Sequence, residues 1–355
     1  MAGGPRRSTI RDVASRAGVS VATVSRVLAG NYPTAPTTRN KVMRAVRELD
    51  YVANVHARGL AGVTTKSVAI ILNSVVSPFY ATVAQGVQAQ AAQEGRLCVI
   101  GTTGGDPERE LALVRLMREQ HVDALILVGN VVINDEYRQR ISQYANALAA
   151  NGSQLVLCAR PPIGPDVPAI VVEYDNIGGA YAATSHLLSA GHKRILYAGR
   201  RPGNITEARI EGYRRALADH RVKPDPALEL DGTLERDEGY RMVRQHLGAG
   251  RARFTAVFAA NDVVAGGARQ ALHEHGLRVP DDVSMVGYDD LPPAADLGLT
   301  TVHVPGEELG RTAVRLAIES RAGGGANAHV ILGTHIVVRD SVRPVQPAGN
   351  RRASS

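Results

Sequence analysis

The chain has few cysteines and aromatic residues and no long hydrophobic run. Its 355 residues include two cysteines, three phenylalanines and no tryptophan. Cys98 and Cys158 each lie inside an apolar run, so we expect two core thiols rather than the disulfide framework of a small secreted protein. Runs such as residues 68–72 are far shorter than the ~20 apolar residues that span a bilayer. The sequence therefore predicts no membrane association.

A secretory signal is also missing from the sequence. The basic residues Arg6 and Arg7 lead into polar residues rather than into an apolar segment, so we expect a cytoplasmic protein. The length of 355 residues is about twice that of a usual domain, which predicts two or three domains.

Excess positive charge is confined to one part of the chain. The net charge is +7; residues 1–61 contain 10 Lys or Arg and 3 Asp or Glu, while residues 62–355 contain 31 of each sign. A basic module joined to a neutral body indicates that the front binds a polyanion and that the body does something else. The alternative, a solvated basic tail, would lack helical patterning.

The basic module has the pattern of two short helices joined by a glycine turn. Thr9, with Asp12 three residues later, can form a capping box at the start of an amphipathic helix. Gly18 can end that helix, and Ser20 can cap a second one that spans about residues 21–28. This arrangement predicts a helix-turn-helix, whose second helix can enter the major groove of DNA.

Helical periodicity gives this second helix two faces. Val24, Val27 and Leu28 are expected to face inward, against a third helix at about residues 37–50. The residues expected to face outward are Val21, Ala22, Ser25 and Arg26.

The neutral body alternates apolar strand-like runs with amphipathic helices, the pattern of an open parallel sheet. Two series of runs are present, so two sheets are expected. The first series covers residues 67–73, 97–101, 124–128 and 155–158, and the second covers residues 169–174, 194–199, 256–260 and 284–288.

Residues 9–28 (TIRDVASRAGVSVATVSRVL), with Thr38-Arg39 and residues 54–60 (NVHARGL), closely resemble the lactose-repressor/galactose-repressor (LacI/GalR) family of bacterial transcription regulators. The resemblance implies an N-terminal all-α helix-turn-helix DNA-binding domain and an α/β periplasmic-binding-protein-like effector domain of two Rossmann-like subdomains with three crossovers. It divides the chain into a disordered tail (1–8), the helix-turn-helix domain (9–52), a hinge helix and linker (53–62), the effector-binding and dimerisation domain (63–344) and a second disordered tail (345–355).

The resemblance also implies which residues contact DNA. Val21, Ala22 and Arg26 occupy the base-reading positions, and Arg26 can grip guanine O6 and N7 bidentately. Leu60 matches the leucine wedge that enters the minor groove. The residues expected to contact the DNA backbone are Thr9, Thr23, Ser25 and Tyr51. For each of them, a capping or packing role is the alternative. The expected hinge residues are Asn54, Ala57 and Leu60.

By the same resemblance, a ligand binds between the subdomains near the carboxyl ends of the strands. Aromatic faces combined with Asp, Asn and Arg suit vicinal hydroxyls, so a sugar-like effector is expected. For Asn261 and Asp289 the alternative is a cap or turn residue. The residues expected to bind the effector are Phe79, Tyr80, Asn130, Arg160, Arg209, Phe258, Asn261 and Asp289.

The sequence departs from the family pattern at several positions. Ala159 stands where many relatives carry an Asp, Ala35 stands where a Ser often caps the third helix, and Ala29 replaces a frequent Asn. Residues 202–206 lack the basic residue that purine-binding relatives use, which disfavours a purine corepressor.

The predicted function is a dimeric repressor of a palindromic operator with a central C-G step, controlled by a sugar-like effector. The alternative is a carbohydrate-binding protein of the transport type, which would leave residues 9–61 unexplained. An enzyme ranks third, because residues 101–105 lack dinucleotide-binding spacing and no phosphate loop or serine elbow is present. No metal or cofactor is expected.

Overall fold

The computed structural model describes residues 8–29, 33–51, 66–250, 253–323 and 328–345. The basic module contains α1 (Ile10–Ala17), α2 (Val21–Ala29) and α3 (Pro36–Glu48). The capping box between Thr9 and Asp12 is present, Gly18 ends α1 in the left-handed conformation with φ 67°, and the Ser20 hydroxyl accepts from the amide of Thr23 (3.1 Å). The helix-turn-helix prediction is confirmed in these details.

Valines hold the three helices together. Val13, Val24 and Val42, one from each helix, are completely buried. A surface ion pair between Arg16 of α1 and Glu48 of α3 (2.7 Å) lies at the edge of this small core. Ala35 precedes α3 without a side-chain cap, as expected from the missing serine.

The larger sheet of the body is parallel and has six strands in the order β11-β5-β4-β3-β1-β2. Its strand β1, which lies between β3 and β2, is buried along its whole length, because helices cover both faces of the sheet. The strands are β1 (Ser67–Leu72), β2 (Leu97–Thr102), β3 (Ala124–Val128), β4 (Gln154–Cys158), β5 (Ala169–Tyr174) and β11 (His329–Leu332).

Four helices cover this sheet. One face carries α4 (Pro78–Gln93) and α12 (Gly306–Arg321), and the other carries α5 (Pro107–Glu119) and α6 (Asp135–Ala149). A Cβ built on Gly86 of α4 would lie 2.0 Å from the carbonyl oxygen of Glu307. The close crossing of α4 and α12 therefore depends on glycine at this position.

The smaller sheet is parallel and has four strands in the order β7-β6-β8-β9. Aliphatic side chains bury both of its faces against helices. The strands are β6 (Ile195–Arg200), β7 (Glu229–Asp231), β8 (Ala256–Ala259) and β9 (Ser284–Val286). The helices of this subdomain are α7 (Asn176–Ser189), α8 (Asn204–Asp219), α9 (Arg236–Gly248), α10 (Asp262–Glu274) and the short α11 (Pro292–Asp296).

The chain crosses between the subdomains three times, as the family resemblance implies. It crosses after β5, between β10 (Thr301–His303) and α12, and between β11 and β12 (His335–Val337). The short strands β10 and β12 pair with each other in an antiparallel ribbon. Two of the three crossings therefore begin or end on this ribbon.

Two expectations from the strand pattern need correction. β5, which opened the second series of predicted strands, pairs with β4 in the larger sheet, because the chain crosses over only after it. Cys98 is half-buried, whereas Cys158 is fully buried as expected; Cys98 lies on β2, an edge strand with one neighbour.

The described ranges contain neither a candidate membrane-spanning helix nor a candidate metal-ligand cluster. Within them, no helix has the length and apolar character needed to cross a membrane. In the same ranges, no group of three or more His, Cys, Asp or Glu side chains is arranged to hold a metal ion.

Candidate nucleic-acid interface and ligand cleft

The outer face of α2 presents the predicted base-reading side chains. Val21 is 41% exposed, and Ala22 and Arg26 are exposed as well. Val24 and Val27 of the same helix are buried. The helical period therefore separates a packing face from a face that is open to a groove of DNA.

Other predicted DNA contacts have local partners. The Thr9 hydroxyl donates to the Asp12 carboxylate (2.7 Å), and the hydroxyls of Thr23 and Ser20 lie 2.9 Å apart. Tyr51 packs against the core of the module, while Ser25 is exposed. The capping and packing roles are thus present, and the contacts to DNA stay predictions.

The predicted hinge residues cannot be placed in the same way. Asn54, Ala57 and Leu60 lie outside the described residues. Their contacts with the minor groove remain predictions.

A cleft of about 230 Å³ lies between the two subdomains of the body. Asn73 follows β1, Asn130 follows β3, Arg201 follows β6 and Asn261 follows β8, and all four line the cleft. The cleft therefore lies at the carboxyl ends of strands from both sheets, where open α/β sheets place ligands.

Arg209 is the central charged group of the cleft. It lies on α8, its side chain is buried, and it donates to Asp289 Oδ1 (2.8 Å), Asn176 Oδ1 (3.0 Å) and the Tyr174 hydroxyl (3.2 Å). Its guanidinium also stacks on the ring of Tyr288, 3.7 Å from the ring centroid. Burial disfavours the charged form of Arg209, but the interactions with Asp289 and the surrounding tyrosines together outweigh it, so the pKa of Arg209 is raised.

Asp289 lies on a strained segment of backbone. Its φ is 102° and that of Asp290 is 57°, conformations that non-glycine residues rarely adopt. Asp262 braces this segment by accepting from the amide of Leu291 (2.8 Å) and the hydroxyl of Thr301 (2.6 Å). Burial, together with the negative charge of Asp289, raises the pKa of Asp262 to about 7.

Three aromatic rings form the apolar wall of the cleft. The ring centroid of Phe79 lies 5.6 Å from that of Tyr80 and 5.9 Å from that of Tyr174. Gly129 has a φ of 113°, and a Cβ there would lie 2.4 Å from the Tyr80 hydroxyl oxygen. Glycine at this position thus allows Tyr80 to reach the end of β3.

Hydrogen bonds join the two subdomains across the cleft. Asn130 donates to the carbonyl oxygen of Pro202 (3.3 Å) and accepts from the amide of Ile205 (3.0 Å). Asn204 donates to the carbonyl oxygen of Ala159 (3.0 Å) and accepts from the amide of Val131 (2.9 Å). We call these four contacts the cross-cleft bonds; they hold the start of α8 against the larger subdomain.

The structure places two predicted effector-binding residues, Arg160 and Phe258, outside the lining of the 230 Å³ cleft and gives a third, Asn261, a capping role as well. Arg160 is buried in an ion pair with Glu110 (2.8 Å) and lies outside the lining of this cleft. Phe258 is fully buried and packs on Tyr197 in the core. Asn261 lines the cleft but caps α10, as its alternative role allowed.

Sequence reasoning missed Arg201, Glu235 and Asn73, which also line the cleft. Each follows a strand of its sheet. The carboxyl-end rule points to Asn73 and Arg201 once β1 and β6 are recognised. Glu235 follows β7, whose three residues are too short to give an alternating pattern.

Comparison with known proteins gives two family matches. Residues 9–54 match the model of bacterial regulatory proteins of the lacI family. Residues 184–342 match a periplasmic binding protein-like domain. The first match covers α1 to α3, and the second covers the chain from within α7 to β12.

Individual relatives match over nearly the full length. The chain is 32% identical to the HTH-type transcriptional regulator DegA of Bacillus subtilis, over 96% of this chain and 99% of the relative. The lac repressor dimer bound to operator and the anti-inducer ONPF superposes with a TM-score of 0.80 at 28% identity, covering 95% of this chain and 100% of that one. The complex of the transcriptional regulator CelR with cellobiose gives 0.69 at 33% identity, covering 94% and 100%.

Proposed function

We propose that this chain, which belongs to the lacI family of bacterial regulatory proteins, represses transcription as a homodimer on a palindromic operator and releases it when a sugar-like effector binds. The observation that carries the proposal is the joining of an outward-facing α2, with exposed Val21 and Arg26, to a body with a polar cleft between two subdomains. A DNA-binding regulator of this kind acts in the cytoplasm and catalyses no reaction.

Operator recognition depends on α2 in this proposal. Arg26 donates two parallel hydrogen bonds to a guanine, while Val21 and Ala22 contact the edges of neighbouring bases. Thr9, Thr23, Ser25 and Tyr51 contact phosphates and fix the register. Two copies of α2 read two half-sites, and the paired hinge segments, with Asn54, Ala57 and Leu60, open the minor groove at the central C-G step.

Selection of operators from random DNA by the full chain tests this part of the proposal. A palindrome with a central C-G step is expected. Arg26→Ala should weaken binding to it by about 1 to 3 kcal/mol and relax one base position in each half-site. Arg26→Lys keeps the charge but loses the bidentate geometry, so it should retain the salt dependence of binding and lose the base preference. Selected sites without symmetry, or base preferences that Arg26→Ala leaves unchanged, would contradict this interpretation.

The effector proposal depends on the chemistry of the cleft. Arg209 and Asp289 present a guanidinium beside a carboxylate, and Phe79, Tyr80 and Tyr174 present apolar ring surfaces. Hydroxyl groups both donate and accept hydrogen bonds, so a polyol can use both members of such a pair. The cellobiose complex of the relative CelR supports the same ligand class.

Release of DNA requires that the effector bind more tightly to the DNA-free form. Couplings of this kind are usually about 1 to 3 kcal/mol, or roughly 5- to 150-fold in affinity. Titrating sugars and purines into the complex of full chain and selected operator measures the coupling directly. A sugar that releases the operator supports the proposal, a purine that strengthens DNA binding contradicts it, and Arg209→Ala should abolish the response.

A further inference from the structure

The cleft between the subdomains has two adjoining compartments. The inner one, of about 230 Å³, contains the Arg209–Asp289 pair. The outer one, of about 370 Å³, opens beyond it toward the start of α5 and α6. Asn73, Gly105, Asn130 and Arg201 line both compartments, so the two adjoin and a ligand in the inner one lies next to the outer one.

The sizes of the compartments favour a ligand that occupies both. Small-molecule sites usually measure about 300–1,000 Å³. The inner compartment alone falls below that range, and together with the outer one the cleft falls well inside it. A single sugar ring would leave the outer compartment filled with water.

The charges that line both compartments favour an uncharged ligand. In the inner one, Arg201 and Arg209 are balanced by Glu235 and Asp289. In the outer one, carboxylates outnumber guanidiniums. The carboxylates are Asp106, which caps α5, Glu108, Glu110 and Glu136. The guanidiniums are Arg140, Arg201 and Arg160, which is buried in the pair with Glu110. A phosphate or carboxylate on the ligand would face net negative charge there.

Arg201 lies at the junction of the two compartments with its donors available. Within the described residues, its guanidinium has no hydrogen bond or ion pair; only its backbone carbonyl oxygen is used, by the Thr206 hydroxyl. Its neighbour Arg200 points elsewhere and binds Asp231 (2.6 Å). An arginine in this place can donate to the hydroxyls of a second ring while the first ring lies against Arg209 and Asp289.

We propose that the effector is a neutral glycoside of two sugar rings, and that Arg201 is the residue that distinguishes it from a single ring. This inference rests on the proposed sugar effector and adds its size and charge. The inner ring contacts Asp289, Arg209 and Glu235, and the outer ring contacts Arg201 and the polar wall beyond it.

Calorimetric titration of the full chain tests this proposal with matched sugars: glucose, galactose, cellobiose, maltose, lactose and glucose 6-phosphate. One disaccharide should bind at least tenfold more tightly than its component monosaccharides and than the phosphate. Arg201→Ala should weaken that disaccharide about tenfold and the monosaccharide less than twofold. The matched control, Arg200→Ala, removes a neighbouring guanidinium outside the cleft and should change neither affinity.

The outcomes separate this inference from the proposed function. If monosaccharides bind as tightly as every disaccharide, or if Arg201→Ala weakens both to the same degree, the two-ring proposal fails while the sugar effector stands. If glucose 6-phosphate binds best, the neutral class is wrong. If no sugar in the panel binds and a purine strengthens DNA binding in the operator titration, the sugar effector and the two-ring proposal both fail.

Discussion

The basic module and the α/β body use charged residues in opposite ways. In the module, Arg26 lies exposed on α2, and the module's excess of positive charge is available for a polyanion. In the body, the charged pairs Arg209–Asp289 and Arg160–Glu110 are buried, with side chains at most 8% exposed. The module's surplus of positive charge therefore stabilises a complex with a polyanion rather than the fold, whereas the body needs these buried charges paired in order to fold.

The two sites also differ in how easily they can be predicted from the sequence. The proposed DNA-binding face is formed within one helix, so the spacing of Val21, Ala22 and Arg26 alone places them on one side. The cleft combines residues such as Arg209 and Asp289, which are 80 positions apart. Their pairing depends on the order of strands in the smaller sheet, which the pattern of apolar runs does not specify.

Breaking the central buried pair of the body should give the largest effect. Arg209→Ala leaves the Asp289 carboxylate buried without its partner, and the free energy of unfolding should fall by about 3 to 5 kcal/mol. Arg215→Ala on the same helix is the matched control, because its ion pair with Glu211 is exposed and should cost at most about 1 kcal/mol. Urea unfolding of both variants measures the difference, and equal losses would contradict the contrast between buried and exposed pairs.

Asp262 should make the stability of the body depend on pH. Its pKa is about 7 in the folded state and about 3.9 when unfolded, so the folded state binds more protons between these values. Stability should therefore fall as pH rises from about 4 to 7, by about 4 kcal/mol at most.

Asp262→Asn tests this dependence on pH. The variant removes the titrating group, so its free energy of unfolding in urea should vary less across this window. Asp166→Asn, which changes an exposed carboxyl, should leave the dependence as it is. An unchanged pH profile in Asp262→Asn would show that another group is responsible.

The smallest expected effect comes from adding a cap to α3 in the module. Ala35 provides no side-chain cap for α3, so Ala35→Ser should add a hydrogen bond to the first turn and stabilise the helix by about 0.5 to 1 kcal/mol. Slower amide exchange in that turn, in DNA-free protein, is the expected result. Thr9→Ala, which breaks the capping box of α1, should speed amide exchange in the first turn of α1. Faster exchange in Ala35→Ser would contradict the capping argument.

Much of the fold could be predicted from local patterns, and the exceptions have physical causes. Seven of the eight predicted strand runs overlap a strand of the expected series, because buried parallel strands are continuous apolar runs. The run at residues 169–174 forms β5 but belongs to the larger sheet, since its sheet depends on where the chain crosses over. β7 and β10 were missed because each has three residues of which only one is apolar, too few for an apolar run. β11 and β12 were also missed.

The cleft was predicted less completely than the fold. Phe79, Tyr80, Asn130, Arg209, Asn261 and Asp289 line it as expected. Arg160 lines only the adjoining outer compartment, where it pairs with Glu110, and Phe258 packs in the core; a linear sequence does not reveal these buried partners. Arg201 and Glu235 were missed because their charges resemble those of ordinary surface residues.

Arg209 lies on the same helix, α8, as Asn204 and Ile205, which take part in the cross-cleft bonds. Ile205, whose amide bonds to Asn130, lies four residues before Arg209 on α8, a distance of about 6 Å along the axis. A helix of this length moves as a rigid rod. A ligand that displaces Arg209 therefore also displaces Ile205 and changes the closure between the subdomains. Ligand binding and subdomain closure are thus coupled through one helical turn.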